Sequence, residues 1–227
     1  MLDYIVDSRS NEEVRALALD ALRELKVDAH RQIDVFGILT AGTIMTVFGP
    51  KRLVYEEMSD LEMESDDGRT VYAKRTVTIE LKKSVAEAAR SGSARARMTV
   101  AHELGHAFLH QGRTLYRKTA EPTRPAFIPP ACSAEHQAKV FAASFLMPEA
   151  LVQRCNSAAE IALKCLVSFQ AAEIRFELLD RLKRRRDNAR RMSLLSKELR
   201  TENTSQFAIK YLPDPCPSAL SHSAGST

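Results

Sequence analysis

No run of about eighteen apolar residues occurs in the 227-residue sequence, so no membrane-spanning helix is expected. The opening "MLDYIVDSRSNEEV" lacks a basic stretch leading into an apolar one, and no secretory signal is read there. The four cysteines, Cys132, Cys155, Cys165 and Cys216, include no CxxC pair. Without an export signal they read as reduced thiols, mostly packing residues. The expectation is a cytoplasmic protein. No internal repeat is present, and 44% hydrophobic with 27% charged residues suits one good core with a small appended piece. A general basic character is missing too. Residues 181–200, "RLKRRRDNARRMSLLSKELR", hold nine Lys or Arg against Asp187 and Glu198, a local +7 that leaves the rest of a +4 chain slightly acidic. This argues against a generally basic nucleic-acid-binding domain.

What is present has a clear order. Ser10 and Glu13 form a capping-box pattern, and Val14, Leu17, Leu19, Leu22 and Leu25 recur at roughly helical spacing, predicting a helix over 11–26. A shorter helix is expected at about 31–39. The texture then turns β-rich: "TIMTVFG", "RLVYEEM", a "DDG" turn at 66–68 before "TVYA", and "TVTIEL" at 76–81, which alternates cleanly. From about residue 95 the chain reads as helical. A breaker-rich loop, "EPTRPAFIPP", separates the first of these helices from "SAEHQAKVFAASFLM", for which Ser133 is a candidate N-cap. Pro148 stops that helix. Further helices are expected at 157–165 and 168–200, and the Pro- and Ser-rich tail "PDPCPSALSHSAGST" reads as disordered.

Chemistry concentrates in "MTVAHELGHAFLH", residues 98–110, where three histidines and a glutamate interrupt an apolar segment. Burying such groups is unfavourable unless each has a partner, and a metal ion would satisfy most of them at once. His102-Glu103-Leu104-Gly105-His106 matches HExxH. Residues four apart share a helix face, so His102 and His106 can reach one ion, while Glu103 lies beside them as a candidate base. Thr99, His102, Glu103, His106 and His110 form one polar stripe; Ala101, Leu104, Ala107 and Phe108 form an apolar one. Gly105 is explained if a strand or helix approaches closely. A catalytic zinc site uses three protein ligands and an open position. Leu109 and Gly112 exclude the metzincin extension. Glu135, on the next predicted helix, qualifies as third ligand: Ala138 and Ala142 continue its face with small side chains that let the helices pack closely.

"RMTVAHELGHAFLH", "EHQAKVFAASFLMPEAL" and "CLVSFQAAEIRFELL" together resemble the ImmA/IrrE metallopeptidases, over roughly residues 30–182 and most strongly over 97–150. Lys139 departs from the Asn or Asp usual there. The resemblance implies an α+β, zincin-like fold, with a small, mostly antiparallel sheet packed on an HExxH helix bundle and a C-terminal helical module. The expected metallopeptidase domain covers 1–182, comprising N-terminal helices, a sheet at about 43–81, catalytic helices at 95–155 and a helical module at 157–182. Residues 183–227 are expected to form a basic helical extension and tail. The resemblance also implies a zinc-dependent endopeptidase with His102, His106 and Glu135 as ligands and Glu103 as catalyst. Its implied substrate is a helix-turn-helix repressor, cut to derepress phage, mobile-element or stress genes. Manganese suits such ligands as well as zinc does.

Other residues carry two readings each. His110, one turn past His106, is a donor to the ligand shell or a transition-state contact, or else a packing histidine. Tyr116 is a candidate oxyanion donor or a solvated loop residue. His136 points about 100° away from Glu135 around its helix, and Met147 reads as core. The strand 76–81 reads as an edge strand able to accept a substrate peptide by strand addition. The basic 181–200 segment is a solvated face or a contact for nucleic acid or an acidic partner, with no aromatics to support single-strand binding. The rival to an enzyme is a metal-stabilised regulator that sequesters a repressor, or binds DNA through 181–200, without cleavage.

Overall fold

The computed structural model describes residues 3–111 and 127–210, apart from the side chains of 198–210. Tyr116, most of the breaker-rich loop, Cys216 and the C-terminal tail lie outside the described residues. Two compact units meet between Leu179 and Asp180. The first carries everything that positions the site.

It begins with α1 (Asn11–Glu24), where Ser10 and Glu13 make the reciprocal capping box. A short α2 (Val35–Leu39) follows, capped by Asp34 on the amides of Phe36 and Gly37. Then come β1 (Thr43–Thr46), β2 (Gly49–Met58), α3 (Asp60–Met63), β3 (Gly68–Tyr72) and β4 (Thr76–Lys82), with α4 (Lys83–Arg90) directly behind. Neither α3 nor α4 was expected from the sequence, and α4 starts at Lys83 behind an N-cap, Lys82, that makes no side-chain cap to announce it. The sheet order is β1-β2-β4-β3. Two of its three pairings are antiparallel, while β2 and β4 run parallel over seven residue pairs, Arg52↔Thr76 to Met58↔Lys82. The sheet is small and mixed.

This order corrects one expectation. The strand at 76–82 is internal, and β3 is the terminal strand beside it among the described residues. The alternation of β4 was real: Val77, Ile79 and Leu81 are buried. Alternation reports which face is covered, however, and is silent on lateral neighbours.

The helix α5 (Ala94–Leu109) packs between this sheet and α6 (Ala134–Leu146), and α1 covers α6. Phe108, Phe141 and Phe145 stack across the α5–α6 seam, with centroids 5.5 and 5.3 Å apart. The short helices α7 (Glu149–Val152) and α8 (Ala158–Cys165) lead to α9 (Phe169–Lys210). Two buried arginines act as ties: Arg97 donates to the carbonyls of Ile33, Cys165 and Leu166, and Arg175 to that of Met147. Such bonds satisfy carbonyls at the C-terminal ends of α8 and α6, and that of Ile33 before α2. Cys155, Cys165 and Met147 are core residues, as read from the sequence. No described helix is long and apolar enough to cross a membrane.

Candidate metal centre

The seam between α5 and α6 explains both its glycine and its alanines. A Cβ on Gly105 would stand 3.0 Å from the Ala138 carbonyl oxygen and 3.1 Å from its Cα. The helix backbones therefore touch there, which puts Glu135, one turn earlier on α6, over His102 and His106. Gly68 serves a similar purpose at the start of β3, where a Cβ would meet Leu81 Cδ2 at 2.9 Å and Glu103 Cγ at 3.0 Å. Two close approaches thus frame the HExxH turn from opposite sides.

Three side chains converge at that turn. His102 Nε2 lies 3.1 Å from Glu135 Oε2 and 3.1 Å from His106 Nε2, and His106 Nε2 lies 3.3 Å from Glu135 Oε1. Tetrahedral ligands held about 2.0–2.1 Å from an ion are about 3.3 Å from one another. The observed separations among the two imidazoles and the carboxylate have that size. Moreover, Glu135 Oε1 is buried without a hydrogen-bond partner among the described residues. A buried carboxylate oxygen of this kind calls for a cation, so the donor set fits a divalent ion. These are the three residues named from the sequence.

The two glutamates are driven in opposite directions. Burial would raise Glu135, but hydrogen bonds and charge from His102 and His106 outweigh it and hold the carboxyl well below the usual range. Burial dominates at Glu103 and raises it, against His106, the Thr70 hydroxyl and His102. Environments that separate two carboxyl groups in this way mark one as a permanent anion and the other as a proton carrier. Thr70 of β3 fixes Glu103, its Oγ1 lying 2.8 Å from the Oε2 carboxylate oxygen.

Further side chains close around the ligands. The helix ends at Leu109, and His110, in extended backbone, turns its Nδ1 to within 3.1 Å of His106 Nδ1. Its Nε2 faces Gln137 Oε1 at 3.3 Å. Burial and the neighbouring His106 lower its pKa to about 4. Tyr72 donates from its hydroxyl to the His106 carbonyl at 3.0 Å. The polar stripe read from the sequence is therefore itself largely covered, with His106, Glu103 and His110 all buried.

The N-terminal segment contributes as well. Asp3 accepts from the Ser133 hydroxyl (2.7 Å) and from the Glu135 amide (3.1 Å), holding the first turn of α6. Ser133 caps that turn by accepting from the His136 amide. Tyr4 stacks 6.4 Å from the His106 ring and meets His110 edge-on at 6.1 Å. Sequence reasoning missed Asp3, Tyr4, Thr70, Tyr72 and Gln137. Thr70, Tyr72 and Gln137 lay on elements that had been recognised, whereas Asp3 and Tyr4 did not. His136 is outside the site: its Nε2 pairs with Asn11 Oδ1 at 2.8 Å and ties α6 to α1.

The family model of the IrrE N-terminal-like domain, peptidase M78, matches residues 59–177, more than half of the chain. The chain belongs to that family. No curated protein matches it significantly. The match runs from just before α3 into the start of α9 and takes in the two histidines, Glu103, Glu135 and Gln137. Asp3 and Tyr4 stand outside it, so part of the wall of this metallopeptidase-family centre is built from sequence that the family model does not match.

Proposed function

We propose that this chain is a zinc-dependent endopeptidase of the cytoplasm that cleaves a helix-turn-helix repressor. The observation that carries the reading is the convergence of His102, His106 and Glu135, with contacts of 3.1, 3.1 and 3.3 Å, beside Glu103 buried at the next helical position. A purely structural site needs no base beside an open ligand position. The repressor is supported by the likeness of the HELGH and Phe-Ala-Ala segments to the ImmA/IrrE metallopeptidases.

In this reading His102, His106 and Glu135 hold the ion, zinc in the first instance and manganese as the alternative. When bound, the ion supplies Lewis acidity to the scissile carbonyl and acidifies the attacking water. Glu103, oriented by Thr70, takes the proton from that water as it adds to the carbonyl and returns it to the leaving amine. The strand β3 borders α5 and ends the sheet among the described residues, so it offers the substrate a main-chain edge where β4 cannot. A cleft of about 480 Å³, lined in part by Phe48, Lys51, Tyr72, Lys74 and His110, opens beside it.

The test incubates a helix-turn-helix repressor encoded beside this protein with wild type and with Glu103→Gln, each supplied with zinc or manganese, and reads intact masses. Two fragments formed only by the wild type support the proposal and give the cut bond. A Glu103→Gln variant that loses bound metal together with cleavage overturns the division of roles. A repressor held in a stable complex but never cut would favour a sequestering regulator, for which the exposed basic stretch of α9 is the other contact surface to test.

A further inference from the structure

Beyond Leu179 the second compact unit opens with a run of cations on α9. Residues 180–197 hold eight Lys or Arg against Asp180 and Asp187, and every one of them except Leu182 is exposed. Arg184 pairs with Asp180 at 2.8 Å. The side chains of Lys183, Arg185, Arg190 and Arg191 have no ion-pair or hydrogen-bond partner among the described residues. Arg181 and Arg185, and likewise Arg186 and Arg190, stand four residues apart, a spacing at which like charges weaken a helix. A solvated face needs no such repulsion, whereas a ligand of opposite charge turns it into binding.

The placement of the charge selects the ligand. At about 100° per residue, the four unpaired cations lie at about 300°, 140°, 280° and 20° around the axis, counted from Asp180. No single face holds all four. An acidic protein surface meets one side of a helix and would leave part of this charge in water. The major groove of duplex DNA, about 12 Å wide, admits a helix of about 10–12 Å and sets phosphates along both of its flanks. An RNA duplex offers a deep, narrow major groove instead. No aromatic residue lies between 180 and 197 to stack on a single strand. A zipper with a second copy is opposed too, because the seam through Leu182 at coiled-coil spacing holds Arg185, Ala189, Met192 and Ser196.

We propose that residues 181–191 of α9 are a sequence-independent contact for duplex DNA, seated in the major groove and held by phosphates. Seven Lys or Arg lie in that stretch, four of them unpaired, so four to seven phosphates are neutralised. The inference uses nothing from the metal centre and stands or falls apart from the peptidase reading.

The test titrates the full chain into a fluorescein-labelled random-sequence DNA duplex and reads anisotropy at rising salt. The slope of log affinity against log salt should be about −4 to −6, a loss of about 10²–10⁴-fold between about 50 and 200 mM. Lys183→Gln, Arg185→Gln, Arg190→Gln and Arg191→Gln combined should flatten that slope by about 4. Glutamine forms helix about as well as Lys or Arg, and far-ultraviolet circular dichroism checks that the helix survives. Arg185→Lys, Arg190→Lys and Arg191→Lys combined, which keep the charge, should keep the slope. No saturable binding at the lowest salt overturns the inference, as does a quadruple glutamine variant that binds like wild type. A duplex RNA or a single-stranded DNA of equal length held as tightly as the DNA duplex overturns the groove. Retention of polyglutamate but not of duplex DNA would make the partner an acidic protein surface instead.

Discussion

Replacing Gly105 by alanine asks whether the spacing of α5 and α6 sets the ligand geometry. The added Cβ would stand 3.0 Å from Ala138 O, 3.1 Å from Ala138 Cα and 3.3 Å from Phe141 Cβ. Two of those atoms are backbone, so no side chain can swing aside and α6 must retreat by a few tenths of an ångström. Alanine favours a helix interior by about 1 kcal/mol over glycine. Overpacking a dense seam costs about 1–3 kcal/mol. The net is a loss of about 0–2 kcal/mol, or up to about 8 °C in melting midpoint for a chain of this size. The same retreat carries Glu135 away from the two imidazoles it now meets at 3.1 and 3.3 Å. If all of a 1–2 kcal/mol strain falls on the metal-bound state, zinc affinity drops about 5–30-fold. Calorimetry of the chelated protein reads the first quantity and chelator competition the second. A variant that melts higher than wild type and binds zinc unchanged would refute the reasoning, because the propensity gain would then meet no opposing contact.

Chelation of the wild type should lower its melting midpoint: zinc at 100 times its dissociation constant adds about 2.7 kcal/mol, and equal midpoints with and without chelator would argue against a filled site. Thr70→Val keeps the shape of β3 but removes the hydroxyl 2.8 Å from Glu103. Cleavage should slow about 10–100-fold while zinc affinity holds, since a hydrogen bond to a charged group is worth about 1.5–3 kcal/mol; a parallel loss of zinc would assign Thr70 to the ligand geometry instead. Burial and the neighbouring Cys155 push the Cys165 thiol up to about 11, so at pH 8 only about one part in a thousand is thiolate. Raising the pH toward 11 increases that fraction. Native alkylation at pH 8 followed by mass mapping should leave Cys165 unlabelled until denaturant is added, and rapid native labelling would show that α8 opens.

Much of the centre was legible because its signals are local. HExxH needs only helical periodicity to put His102 and His106 on one face. Gly105 and Ala138 announced a close approach by being small where larger helix formers are cheaper, and the Ser10–Glu13 and Ser133 caps are written within three residues of the turns they close. Strand order was not legible. The clean alternation of β4 fixes its buried face, while its neighbours depend on β2 arriving in parallel and β3 folding back outside it. Those pairings join segments across α3 and a turn, and no single segment encodes them. The helix α4 escaped for a related reason: it begins the moment β4 ends, with no cap between them.

The N-terminal segment shows where such reading could be extended. Residues 3–9 have no periodicity, make a single isolated bridge at Ile5↔Ser133 and leave Ile5 exposed. Yet a carboxylate ligand on the first turn of a helix imposes a requirement that can be stated beforehand. The first amides of α6 have no partner within the helix, and they sit beside a buried anion that must not wander. Ser133 accepts from His136, leaving the amide of Glu135 itself to be answered from elsewhere in the chain. Asp3 answers it across 132 residues, and its second oxygen holds the Ser133 hydroxyl. With the ligand at the second position of its helix, an acceptor from outside the helix fixes that amide and the turn that carries the carboxylate. What the sequence does not encode locally is that Asp3, so far away along the chain, supplies it.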